Sequence, residues 1–217
     1  MSTTLLDMRT RVRHRANMEE SEFVGNIELN QYINSSYQEL YDILVTTFED
    51  YYTLPPVTFT LTTLLPYYTL PSDFYKLRGV DAASSGTNYY SLLPFNFINR
   101  NDNDNVVNNF ATRYRIVGSR LYITPEDTSA GNYRLWYVPI ATILSSDIST
   151  LDGINGWEEY VVVDAARKCL AKEESDTRSL VAEKAELKQR IINSASKRDS
   201  GMTKTISDVS SIYRNGF

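Results

Sequence analysis

One cysteine and one histidine among 217 residues remove several chemistries at once. With Cys169 alone, neither an internal disulfide nor a cysteine-based zinc site can form. With His14 alone, a histidine triad or a histidine-rich metal site has no second member. No apolar run reaches the roughly 20 residues that a membrane span needs, and the N-terminus lacks a signal peptide's apolar core. The chain is therefore expected in a reducing cytosol, with no membrane partner. The glycine-rich phosphate loop, the dinucleotide-binding Gly-x-Gly-x-x-Gly turn and the Gly-x-Ser-x-Gly elbow are all missing. Excess positive charge is missing too: 22 Lys and Arg face 27 Asp and Glu, a net charge of -5. A protein whose main task is gripping phosphate backbone usually carries a concentrated basic surface. The expectation is no catalytic residue, no cofactor and no metal.

What remains is an ordinary share of apolar residues, 42%, and an unusual number of tyrosines, 16. Tyrosine couples an apolar ring to a polar tip, so a surplus suits contact surfaces and sheets alike.

The stretch from Leu151 to Ile192 predicts a helical hairpin. Turn-forming Gly153 and Gly156 precede Trp157, and Glu158 and Glu159 sit where a first helical turn favours negative charge. Val161 to Val163 favour strand by propensity, but Ala165, Ala166, Cys169 and Leu170 continue at helical spacing. The partner helix begins near Ser175 and Asp176 and carries Leu180, Leu187 and Ile191 on one face. Lys184 lies on that face, its stem along apolar surface and its head expected in water. Glu158 and Glu159, adjacent on a helix, are expected to diverge by about 100° as solvated or interface charges.

Near the N-terminus, Thr4 to Ala16 reads as a short helix with Leu5, Met8, Val12 and Ala16 inward. Arg9, Arg11, Arg13 and Arg15 crowd the remainder, which is either a basic patch or a solvated face paired with Glu19, Glu20 and Glu22. Alternate spacing spreads charge around a helix, which favours the solvated face. Asn26 offers an N-cap for a second helix reaching about Tyr51, with Leu29, Ile33, Tyr37, Leu40, Leu44, Phe48 and Tyr51 at steps of three and four. Tyr32 and Tyr41 lie off that stripe and, with Trp157, are candidates for an inter-subunit interface.

Pro55-Pro56 ends the helical pattern, and Val57 to Thr62 alternates as a half-buried strand should. Further strands are expected at Tyr67–Leu70, Tyr75–Asp81, Tyr89–Leu93, Tyr114–Val117, Leu121–Thr124 and Tyr133–Val138, with a tight turn at Gly118-Ser119-Arg120. Asn101 to Asn105 invites a calcium reading. The glycine and glutamate that an EF-hand loop requires at its sixth and twelfth positions are absent, so a polar loop is favoured. Beyond Ser196 the chain turns polar but keeps Ile206, Val209, Ile212, Tyr213 and Phe217 as spaced anchors. Such a segment either orders on a partner or folds back on its own subunit. The fold class is α+β: a helical domain from 1–52 and 140–196, an inserted antiparallel β-domain at 53–139, and an extended tail at 197–217.

The order of certain segments carries a resemblance. It runs through Leu5-Leu6-Asp7-Met8-Arg9-Thr10-Arg11-Val12, then Leu29-Asn30-Gln31-Tyr32-Ile33-Asn34, then Tyr68-Thr69-Leu70-Pro71-Ser72-Asp73-Phe74-Tyr75-Lys76-Leu77. Tyr114-Arg115-Ile116-Val117-Gly118, Tyr133-Arg134-Leu135-Trp136-Tyr137-Val138-Pro139 and Gly156-Trp157-Glu158-Glu159-Tyr160 follow. Together they resemble the head-to-tail adaptors of tailed bacteriophages, especially short-tailed ones. The resemblance implies a helical ring body in the virion neck, commonly of twelve copies, assembled in host cytoplasm beneath the portal protein. Tail nozzle or tube proteins would bind it, and DNA would pass through during genome ejection without specific binding. The C-terminal segment would reach the portal, making Ile206, Val209, Ile212, Tyr213 and Phe217 the portal-contact candidates. Another neck or tail-completion ring, or a nucleic-acid-binding module built on the Arg9–Arg15 helix, are the alternatives.

Overall fold

The computed structural model describes residues 3–20, 23–48, 50–62, 64–85, 87–99, 112–124, 130–151 and 156–196. It is a mixed α+β fold: among the described residues there are four α-helices and two four-stranded sheets. The chain divides into two compact units, Met1–Ser36 with Ser145–Phe217, and Tyr37–Leu144. The expected boundaries lay near 53 and 139; the units meet the chain at 36/37 and 144/145.

In the first unit, α1 (Leu5–Arg15) opens on a capping box in which Thr4 and Asp7 satisfy each other's backbone donors. It buries Leu5, Met8 and Val12. It closes as a Schellman motif: Met18 N–H donates to Arg13 C=O at 2.9 Å and Asn17 adopts φ 55°. Residues 147–151 return to its start, where Leu5 N–H donates to Ser149 C=O at 2.9 Å.

Helix α2 (Asn26–Thr47) begins one residue earlier than an Asn26 cap would place it. Gly25 C=O accepts from Leu29 N–H, while the Asn26 side chain accepts from Arg13 Nη2 at 3.0 Å. The division between the units falls within this helix. Leu29, Ile33, Tyr37, Leu40 and Leu44 are buried as their spacing demands. The helix stops at Thr47 rather than near Tyr51, because the chain folds back and stacks Tyr52 on Tyr41 at 4.4 Å between ring centroids.

Helices α3 (Glu158–Lys172) and α4 (Arg178–Ala195) form the expected hairpin, with Leu180, Ile191 and Ala195 buried on α4. Gly156 takes φ 76° just before α3, where a side chain would be strained.

The second unit contains β1 (Val57–Leu61), β2 (Tyr67–Thr69), β3 (Phe74–Ser85), β4 (Asn88–Ser91), β5 (Leu93–Pro94), β6 (Arg113–Val117), β7 (Arg120–Thr124) and β8 (Gly131–Pro139). One sheet runs β1-β8-β3-β4 and the other β2-β7-β6-β5. Their inward faces share one core: Phe59, Leu61, Val80, Leu121, Ile123, Tyr133 and Leu135. The expected strands all form, but not all pair antiparallel. Short β5 runs parallel to β6, with Leu93 against Arg113 and Pro94 against Tyr114. The β6–β7 hairpin closes through a two-residue turn whose Gly118 takes φ 59°.

Candidate functional site

The most buried charge in the first unit is Asp164, in the middle of α3 with no solvent exposure. It interrupts an otherwise apolar wall: Tyr160, Val161, Val162, Val163, Ala165 and Ala166 are all buried. Burying a lone carboxylate is prohibitive, so partners must surround it. Three cations do. Arg167 and Lys168, one turn along α3, lie 2.9 Å from Oδ1 and Oδ2, and Lys184 reaches from α4 to within 2.9 Å of Oδ1. Ser36 of α2 donates to Oδ2 at 2.7 Å and accepts from Lys168 Nζ at 2.9 Å. Lys168 also donates to Ser35 Oγ at 3.1 Å. One carboxylate thus joins α2, α3 and α4.

Burial pushes the Asp164 carboxyl up, but hydrogen bonds from Lys184, Lys168 and Ser36 outweigh it and hold the group well below the usual carboxylate range. It stays ionised. Enclosed by cations, it has no proton to give and no open side for a substrate, so its role is structural. The sequence reading placed the Lys184 head in water. Instead its stem passes the Tyr160 ring, with Nζ 5.3 Å from the ring centroid, and its charge ends on Asp164.

The arginines of α1 are paired, though not with the acids nearest in sequence. Arg9 binds Asp147, Arg11 binds Glu159 and Arg15 binds Glu183. Glu158 lies 3.8 Å from Arg11 as well, so Glu158 and Glu159 converge on α1 instead of diverging. Arg13 donates to the Val24 C=O and Asn26 side chain, each at 3.0 Å. His14 does meet a local acid, Glu19 at 2.9 Å. A cleft of about 370 Å³ lies among Arg11, His14, Arg15, Glu159 and Val162, but its two arginines are already engaged by carboxylates.

Of the three interface candidates, Tyr41 and Trp157 are buried within the chain. The Tyr41 hydroxyl donates to Pro139 C=O at 2.6 Å, and Trp157 stands at the N-cap of α3. Tyr32 is half-buried and donates to Glu28 at 2.7 Å, and this bond raises its hydroxyl pKa to about 12. Lys172 closes the same cluster with a 2.6 Å contact to Glu28. Cys169 is buried, and desolvation pushes its thiol up to about 11, so it is inert. The portal-contact candidates Ile206, Val209, Ile212, Tyr213 and Phe217, like the polar loop from Asn101 to Asn105, lie outside the described residues. No described helix is long and apolar enough to cross a membrane.

Asp164 and Ser36 escaped the sequence reading. The signal was present: one acid inside a six-residue apolar wall, followed at three and four residues by Arg167 and Lys168. A charge there demands partners, but nothing local names Lys184 or Ser36.

No curated protein matches the chain. A family model, the SU10 adaptor protein, matches residues 3–207, which takes in every one of the ordered segments that resemble head-to-tail adaptors. The chain belongs to the SU10 adaptor protein family.

Proposed function

We propose that this protein is a bacteriophage head-to-tail adaptor: a ring of subunits, commonly twelve, beneath the portal in the virion neck. The family match over residues 3–207 carries the reading. The helical unit forms the ring body and the β-unit is the insertion between its helices. Residues 197–217 extend to the portal, with Ile206, Val209, Ile212, Tyr213 and Phe217 as anchors. Tail proteins bind below. Tyr32, the interface candidate that keeps surface exposure, faces a neighbouring subunit. The net charge of -5 supports a conduit role, since a wall that repels phosphate lets the genome pass during ejection.

The test is assembly. Purified alone, the chain should run as a monomer or small oligomer in native mass spectrometry. Mixed with portal-containing heads, it should join them as a ring visible by cryo-EM. A stable ring without portal, or no association with heads, overturns this assignment. Association with a tail tube but not with a portal would instead favour a tail-completion ring.

A further inference from the structure

The outward face of the β1-β8-β3-β4 sheet joins a tryptophan to two opposite charges that the proposed function does not use. Val80, Ala82, Tyr133 and Leu135 point into the core, so strand alternation turns Asp81, Arg134 and Trp136 outward. Register sets Asp81 directly against Arg134, and Gly79 against Trp136. Opposite charges so placed ordinarily pair across the strands. These two do not. Asp81 takes the Trp136 indole N–H on Oδ2 at 2.6 Å and the Ser91 hydroxyl on Oδ1 at 2.9 Å. Arg134 turns the other way and lies over the Tyr89 ring, 3.6 Å from its centroid. Its Nε is buried with no acceptor, and among the described residues no carboxylate or other acceptor engages the guanidinium. Among the same residues no ring and no cation lies over Trp136. The indole N–H bond lies in the ring plane, so Asp81 holds an edge and leaves a face. A side chain at Gly79 would meet nothing within 4 Å, so space is open beside the indole.

We propose that this face binds a neutral pyranose of a glycan chain, stacked on Trp136 and bonded by Asp81 and Arg134. A pyranose has C–H bonds on its ring face and hydroxyls around its rim. The C–H bonds suit the negative face of an indole. Each hydroxyl both donates and accepts, so neighbouring hydroxyls can give a hydrogen to Asp81 and take one from Arg134. Each Asp81 oxygen has accepted one bond and keeps a further lone pair. The two charges cancel, which decides the class of ligand. A polyanion such as DNA would meet the carboxylate beside the guanidinium, and a polycation the reverse. A protein partner would need a cluster of apolar anchors, whereas Trp136 is flanked by Gly79, Arg134 and Asp81. Stacking on Tyr89 also fixes the guanidinium before binding, which lowers the cost of ordering it. The proposal concerns the β-unit and stands or falls separately from ring assembly.

The chain's two tryptophans make the test direct. Trp157 is buried in the other unit, so its indole N–H signal serves as an internal reference. The nitrogen-labelled full chain is titrated with maltotetraose, cellotetraose and chitotetraose while both indole N–H signals are followed by NMR. Trp136→Phe assigns the two signals. At least one oligosaccharide should shift the Trp136 signal in a saturable way and leave that of Trp157 in place. Arg134→Gln breaks no hydrogen bond of the fold and should weaken that binding about tenfold, the share of one hydrogen bond to a charged group. Asp81→Asn keeps an acceptor for the Trp136 indole and should weaken it to a similar degree. The wild-type shifts alone decide the matter should a variant fail to fold. No saturable shift with any of the three sugars, or affinity unchanged in both Arg134→Gln and Asp81→Asn, would overturn the proposal. So would a Trp136 shift caused instead by a tetrathymidylate or a tetraglutamate peptide.

Discussion

Lys184 Nζ, on α4, lies 2.9 Å from Oδ1 of Asp164, the buried acid of α3. The ammonium is about one-fifth exposed and the carboxylate not at all. Removing the acid strands three cations in a space built around it, so Asp164→Asn should destabilise the chain by about 3–5 kcal/mol. Lys184→Met keeps the stem's packing and leaves Arg167, Lys168 and Ser36 on the carboxylate; it should cost about 1.5–3 kcal/mol. Urea denaturation of both variants checks the order. Equal losses would mean that Lys184 is the acid's only effective partner.

Acid should find the same cluster. The Asp164 carboxyl titrates lower folded than unfolded, where the value is about 3.9. Its stabilisation is therefore complete above that unfolded value and drains away as pH falls below it. Comparing stability across pH 2–6 in wild type and Asp164→Asn isolates this from surface acids such as Asp7 and Glu28, which are also lowered. The difference between the two should shrink steadily below about pH 4. A constant difference would show that Asp164 acts by shape alone.

The α3–α4 turn holds a correctable fault. Glu174 sits at φ 59°, with its N–H donating to Ala171 C=O at 3.2 Å and Ser175 N–H to Leu170 C=O at 3.0 Å. That is a Schellman close with glutamate where glycine belongs. Glu174→Gly should stabilise by about 1 kcal/mol, relieving left-handed strain on an exposed residue. Thermal melting reads the shift, and a lower melting temperature would mean that the side chain has a partner role.

Tail removal separates folding from assembly. Burying an apolar side chain is worth roughly 1.5–3 kcal/mol, while ordering each backbone residue costs roughly 1–2 kcal/mol. A segment of about twenty residues with five anchors cannot order on those terms alone. Deleting residues 198–217 should leave the melting temperature unchanged and abolish joining to portal-containing heads. Normal assembly of the truncated chain would remove the tail from the proposed contact.

The legible parts of this fold are those with a strong period. Val57 to Leu61 alternates, and its burial alternates with it; Leu5, Met8 and Val12 repeat at helical steps and are buried. The parallel pairing of β5 was hidden because two residues, Leu93 and Pro94, carry no period at all. Tyr41 read as an interface residue because it stands off the stripe, yet the fold-back of Tyr52 and Val138 closes over it. Arg9, Arg11 and Arg15 advertised charge without saying where their acids were, since Asp147, Glu159 and Glu183 lie more than 130 residues away. Long-range ion pairs leave no local spacing to read.

The first unit is sewn from both ends of the chain, and on the ribosome that orders events. Met1–Ser36 emerges over a hundred residues ahead of Ser145–Phe217, an interval of roughly 5–20 s at ordinary translation rates. During it α1 has no Ser149 carbonyl to meet, its arginines lack their distant acids, and Ser36 waits for a carboxylate not yet made. The Tyr37–Leu144 unit has every strand it needs before then. A chain released early would keep a finished β-unit and an open helical one. Translation through Lys184 on α4 is what completes the charge lock, so messages cut short before it yield subunits that cannot close their helical half.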